Sequence, residues 1–265
     1  MEEHIEVDEL VWQAQNVKRC DAPRPPVGDV CERDIIQLIG IGNNVSFDLE
    51  LAKYGMTVLR FDHTIEQPPA RHENFRFYSV GWGALTEGRF LCFEDIMSLY
   101  RRHASQRWIL KFDIEGDEFD AITTTAADDL AIFDIIVCEV HDLHKLNDGD
   151  FFKKAKGLFA ALARHHTPVH LHPNSYRDRT MVHNVLVPDV VELTYIRNDH
   201  GTFSGFSSDV IPGIFDGPNN PAQSDIELTK LLSPRVFREI TASTSFGAPA
   251  VLGTSIMSRE IGATS

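Results

Sequence analysis

The 265 residues predict an α/β fold, with seven strands in a doubly wound, mostly parallel sheet that ends in a C-terminal antiparallel strand pair. Three observations predict it. Short β-branched or aromatic runs alternate with segments of helical spacing from Asp34 onward. The first strand runs into a glycine-bearing turn that opens a helix. No long helical stretch separates the last two strands, so an antiparallel pairing is expected.

Each element follows in order. Residues 1–33 read as an entry segment, with helical spacing from Glu6 to Val17 broken by three prolines and a glycine between Asp21 and Gly28. Ile35-Ile36-Gln37-Leu38-Ile39 is a strand apolar enough for burial on both faces. Gly40-Ile41-Gly42-Asn43-Asn44 is a turn, Ser46 to Tyr54 a helix, and Gly55 its left-handed stop. Thr57–Phe61 and Phe75–Val80 are the second and third strands, the latter followed by Gly81-Trp82-Gly83. Phe93 to His103 carries Ile96, Leu99 and Tyr100 on one helical face. Trp108–Phe112 and Asp134–Val140 are the fourth and fifth strands, Phe151–Arg164 a helix, and Pro168–His172 and Val190–Ile196 the last two strands. Residues 34–228 therefore read as one Rossmann-like domain. Residues 229–265 read as a tail, expected to be partly disordered where Ser, Thr, Ala and Gly dominate from 241 on.

Composition narrows the function classes. With 25 Lys+Arg against 39 Asp+Glu the net charge is −14, which disfavours nucleic acid and anionic membranes as partners. A small anionic or cationic cofactor remains open. No run approaches the ~20 apolar residues of a membrane span, and Met1-Glu2-Glu3-His4 does not open a secretory signal. Cys20, Cys31, Cys92 and Cys138 form no Cys-x-x-Cys pair, so inert thiols in a reducing cytoplasm are expected. A homo-oligomer is left open.

In an open parallel sheet, ligands bind beyond the carboxyl ends of the strands, where strand order reverses. That rule selects Gly40, Gly42, Asn43 and Asn44 after the first strand and Asp62 after the second. Asp62 follows Gly42 by 20 residues, the spacing of an acid that takes ribose hydroxyls. Val45 stands where a dinucleotide turn needs its third glycine, which favours S-adenosylmethionine over NAD or FAD. An ordinary βα turn explains the two glycines equally well. Trp82 either packs on an adenine ring or belongs to the core.

The fourth and fifth strands end in acids. Asp113 and Glu139, with an imidazole nearby, are placed to hold a hard cation such as Mg²⁺; alternatively, His141 acts as a general base, the ordinary imidazole pKa of about 6.5 suiting that role. Glu115 and Glu118 read either as part of this group or as a solvated helix N-terminus. His170 and His172 share one strand face by the two-residue period, but no spacing supports a zinc site.

Gln37–Asp48, Phe61-Asp62 and above all Leu110-Lys111-Phe112-Asp113-Ile114-Glu115-Gly116-Asp117-Glu118-Phe119 resemble the FkbM-like methyltransferases. The likeness spans roughly residues 35–228. It implies a class I S-adenosylmethionine-dependent fold, cofactor on the Gly40–Asn44 turn and Asp62, and O-methylation of a small-molecule, sugar or natural-product hydroxyl. The likeness fixes no catalytic residue; strand-end geometry is what places Asp113, Glu139 and His141 to handle the acceptor, with or without Mg²⁺. A nicotinamide-dependent oxidoreductase and a non-catalytic cofactor- or partner-binding module are the alternatives.

Overall fold

The computed structural model describes residues 35–40, 45–99, 107–182, 185–203 and 210–228. The entry segment 1–33, the tail 229–265 and the residues Gly42, Asn43 and Asn44 lie outside these.

In chain order the elements are β1 (Ile35–Ile39), α1 (Ser46–Lys53), β2 (Thr57–Phe61), β3 (Phe75–Tyr78), β4 (Gly81–Trp82), β5 (Phe90–Leu91) and α2 (Phe93–Ser98). They continue with β6 (Trp108–Phe112), α3 (Glu118–Thr124), β7 (Ile135–Val140), α4 (Gly149–Ala163), β8 (His166–Pro173), β9 (Arg179–Val182), β10 (Val185–Pro188) and β11 (Val191–Arg197). The main sheet runs β3-β2-β1-β6-β7-β11-β8. Its pairs are parallel except where β11 lies antiparallel between β7 and β8. Strand order reverses between β1 and β6, which makes that gap the expected ligand edge.

The period of two sorts side chains into two apolar clusters, as the pleat requires. Val58, Ile109 and Ile135 join Leu51 and Ala52 of α1 in one. Leu59, Phe61, Leu110, Phe112, Ile136 and Cys138 join Phe119 and Ile122 of α3 and Leu158 and Leu162 of α4 in the other. Helix α4 keeps Ala155, Leu158 and Leu162 buried at i, i+3 and i+7. Its first turn is capped by Asp148, whose carboxylate accepts from the backbone N–H of Asp150 and Phe151 at 3.0 and 2.8 Å. Gly55 ends α1 at φ +84°.

One charged pair interrupts the apolar packing. Arg60 of β2 is fully buried, with its Nε 2.9 Å from Asp48 Oδ2 of α1. Its Nη1 donates to the Ala70 carbonyl at 3.1 Å, and its guanidinium lies 4.6 Å from the centre of the Phe75 ring. Burial lifts the Asp48 carboxyl despite Arg60 and Lys111 beside it.

The stretch between β8 and β11, which reads as a loop in sequence, holds the antiparallel hairpin β9–β10. The chain from Val210 to Leu228 returns along β8. Asp216 pairs with His170 and Asp225 with His172, and the Asn220 N–H donates to Ser175 Oγ at 2.9 Å. Among the described residues no helix is long and apolar enough to cross a membrane.

Candidate active site at the carboxyl edge of the sheet

A single register row crosses the sheet at the carboxyl ends of its parallel strands. Ile39 pairs with Phe61 and with Phe112, so Gly40 lies between Asp62 and Asp113. Phe112 pairs with Cys138, which sets Asp113 beside Glu139, and Glu139 pairs with Glu192, which pairs with His172. Residues far apart in sequence thus fall into the order Asp62, Gly40, Asp113, Glu139, Glu192, His172.

Gly40 has a structural reason to be glycine. Its φ is +74°, and a Cβ there would stand 1.6 Å from the Asp113 carbonyl oxygen. The close approach is to the neighbouring strand end, so the glycine holds the β1 and β6 termini together whatever else binds nearby. Asp62 is 6% exposed, and its Oδ1 accepts from the Thr64 backbone N–H at 2.8 Å and from Thr64 Oγ1 at 2.6 Å. This turn fixes the carboxylate at the strand end. Trp82, in contrast, belongs to the core. It is 1% exposed, with its ring centre 5.8 Å from those of Phe93 and Phe112, so no face is open to an adenine.

Asp113, Glu139 and His141 are brought together, with one ligand atom of each within 4.8 Å of the others. His141 Nε2 is 3.7 Å from Asp113 Oδ1, 3.9 Å from Glu139 Oε1 and 3.6 Å from Glu115 Oε2. The other face of the ring is held by Glu118, which sequence alone could not separate from a solvated helix start. Glu118 is completely buried, and its Oε1 accepts from the His141 backbone N–H at 2.7 Å and lies 3.3 Å from Nδ1. Its Oε2 accepts from the Gly116 N–H at 2.8 Å, tying the β6 and β7 loops together.

These loops carry strain. Glu115 at φ 54° and Asp142 at φ 62° are the two non-glycine residues with positive φ among those described, and each flanks the cluster. Such conformations cost about 1–3 kcal/mol each and collect at functional sites.

Two acids sit side by side on β7 and β11, and each receives one Asn, while only Glu192 has a histidine in hydrogen-bond reach. Glu139 Oε1 accepts from Asn174 Nδ2 at 2.6 Å, and Glu192 Oε1 from Asn219 Nδ2 at 2.5 Å. His172 Nδ1 is 3.3 Å from Glu192 Oε2 while its Nε2 faces Asp225 at 3.0 Å. The outcome differs between the two. Burial would raise Glu192, but His172 and Asn219 outweigh it and hold the carboxyl below its usual value. Glu139 has no such counter-charge in hydrogen-bond reach. Burial, Asp113 and Glu192 push it up to about 7 against His141 and Asn174.

His141 departs from the expectation of a general base with an ordinary pKa. Burial opposes its charge, but the hydrogen bond and charge of Glu118, with Glu139 and Asp113, push it up to about 9. The expected Mg²⁺ pair of Asp113 and Glu139 also changes character, because an imidazole nitrogen stands between them and Mg²⁺ prefers oxygen. Beside the cluster opens a cavity of about 440 Å³ lined by Glu115, Glu139, His141, Asn174, Tyr176, Arg177 and Val190. At the buried end of the cluster, Cys138 is a thiol pushed far up by burial and by Glu118 and Glu139, so it is inert.

No family model and no curated protein matches the chain. Among solved structures it is similar to a predicted O-methyltransferase, protein Atu636 from Agrobacterium tumefaciens, at 13% identity over 71% of this chain and 80% of that one, with a TM-score of 0.36. It is also similar to Burkholderia thailandensis 1,6-didemethyltoxoflavin-N1-methyltransferase, which has 1,6-didemethyltoxoflavin and S-adenosylhomocysteine bound. There the identity is 17% over 62% of this chain and 72% of that one, with a TM-score of 0.34. A third is the complex of the Haloferax volcanii Trm112 methyltransferase activator with the methyltransferase named beside it, at 8% identity, 72% and 91% coverage and a TM-score of 0.34. At these scores the likeness assigns no activity to this chain.

Proposed function

We propose that the protein is a methyltransferase that moves the methyl group of S-adenosylmethionine to a hydroxyl of a small molecule, a sugar or a natural product. The observation that carries this reading is the register row. It puts Asp62 and Gly40 beside Asp113, Glu139 and His141 at the point where strand order reverses, next to an open cavity. The resemblance of the Lys111–Phe119 block to FkbM-like methyltransferases points the same way.

Asp62 and the backbone from Gly40 to Asn44 hold the cofactor, the acid taking the ribose hydroxyls. When bound, S-adenosylmethionine supplies an electrophilic methyl on a sulfonium. The acceptor enters from the cavity and sets its hydroxyl against Asp113 and Glu139. Asp113 or Glu139 would accept the proton that the acceptor hydroxyl sheds on taking the methyl group. His141, held at its backbone N–H and Nδ1 by Glu118, positions the acids around the oxygen. Positioning and charge complementarity supply the rate in such an in-line displacement.

Incubation with methyl-labelled S-adenosylmethionine and a panel of phenolic and sugar hydroxyls tests this. Label in an acceptor, matched by S-adenosylhomocysteine and reduced at least 100-fold in Glu139→Gln, is the expected result. Hydride transfer from NADH, or no turnover with any acceptor, would overturn it.

A further inference from the structure

The His141 cluster contains polar atoms that no protein group satisfies. The His141 side chain is 8% exposed, yet Nε2 has no hydrogen-bond partner among the described residues, its three nearest carboxylate oxygens standing 3.6–3.9 Å away. Asp113 Oδ1, one of those oxygens, is itself a buried atom without a hydrogen bond. A buried acceptor left without a partner costs about 1–3 kcal/mol, and Asp113 Oδ1 is such an atom, facing His141 Nε2 at the edge of the cavity. The groups are too far apart to bond directly and too close to be indifferent.

We infer that Asp113, Glu139 and His141 Nε2 are the protein ligands of one divalent first-row transition-metal ion, of the Mn²⁺ type rather than Mg²⁺, with Glu118 as the outer carboxylate that orients the imidazole. An ion with bonds of about 2.1 Å reaches donor atoms up to about 4.2 Å apart, which covers the 3.7 and 3.9 Å from Nε2 to the two carboxylates, the three ligand atoms lying within 4.8 Å of one another. A metal-bound histidine donates its other ring nitrogen to a carboxylate, carbonyl or water, and Glu118 at Nδ1 fills that position. A mixed donor set of one nitrogen and two carboxylates suits ions that accept imidazole, whereas Mg²⁺ holds to oxygen. Three protein ligands beside an open cavity leave coordination positions for water or an acceptor oxygen.

The inference rests on the proposed function only in taking this cluster as the place of chemistry, and its test needs no turnover. Chelator-treated full-length protein is titrated with Mn²⁺ and read by electron paramagnetic resonance, with S-adenosylmethionine binding measured separately by calorimetry. The expected result is one Mn²⁺ bound per chain, with ¹⁴N modulation from an imidazole. It is retained under a hundredfold excess of Mg²⁺. His141→Gln abolishes the modulation, the half-exposed Asp113→Asn weakens binding at least tenfold, and Glu118→Gln weakens it about 10- to 100-fold. Thermal melts confirm that each variant is folded, and Asp113→Asn decides the matter if Glu118→Gln is not. No Mn²⁺ bound, binding without ¹⁴N modulation, or displacement by equimolar Mg²⁺ would each overturn the metal centre. If S-adenosylmethionine still binds in any of those cases, the methyltransferase reading stands without it.

Discussion

Replacing His172 with glutamine removes the cation that ties β8, β11 and the returning chain together. His172 is 3% exposed and lies between Glu192 of β11 and Asp225, with Asp216 nearby, and Lys111 faces Glu192 from β6. Burial opposes its charge, but the hydrogen bonds and charges of Glu192 and Asp225 prevail and push it up to about 9, from 6.5. The folded value is raised, so the stabilisation is complete below pH 6.5 and is lost as pH climbs through 9. At 1.36 kcal/mol for each pH unit, the pH-dependent contribution is about 3 kcal/mol. Urea denaturation of wild type and His172→Gln at pH 6, 7.5, 9 and 10 isolates it, because His141 and the surface groups titrate alike in both. The stability difference is expected to shrink by about 3 kcal/mol between pH 6 and 10, with amide exchange in residues 216–228 rising over the same range. A difference that stays flat or grows with pH would refute the clamp.

Further consequences concern the backbone and the core. Gly40→Ala is expected to cost at least about 3 kcal/mol in urea, since the left-handed residue alone costs about 1–2 kcal/mol and its Cβ would displace the Asp113 carbonyl. A loss under 1 kcal/mol would show that the β1 and β6 ends are not packed this closely. Arg60→Met leaves Asp48 buried without its partner and is expected to cost about 3–5 kcal/mol, whereas Arg60→Met with Asp48→Leu recovers most of that loss. Equal, additive losses in the two single variants and the double would contradict a coupled pair.

The parts legible in the sequence are those that depend on local pattern and strand order. The apolar runs at Thr57–Phe61, Trp108–Phe112 and Ile135–Val140 are strands because their side chains fill both sides of the sheet. The rule for strand ends singles out Asp62, Asp113 and Glu139, and the register row joins them across the sheet. Glu118 was ambiguous because an acid in the first turn of a helix is ordinary on electrostatic grounds. Only the packing of α3 turns it back toward β7 and His141. The links of Glu192 and Asp225 to His172, and of Asn219 to Glu192, are not legible in sequence, since they cross 20 to 53 residues. Arg60 in the middle of β2 resembles an exposed strand position until Asp48 on α1 meets it. Trp82 offered two readings of equal weight, and only its neighbours Phe93 and Phe112 decide for the core.

The central claim is that the edge formed by Gly40 and Asp62 takes S-adenosylmethionine. Isothermal calorimetry of the full chain with S-adenosylmethionine, and separately with NAD⁺, measures it directly. Saturable binding of the first at one site, weakened at least tenfold by Asp62→Ala and with no heat from the second, is the result predicted. Binding of NAD⁺ in its place, or S-adenosylmethionine binding indifferent to Asp62→Ala, would contradict it.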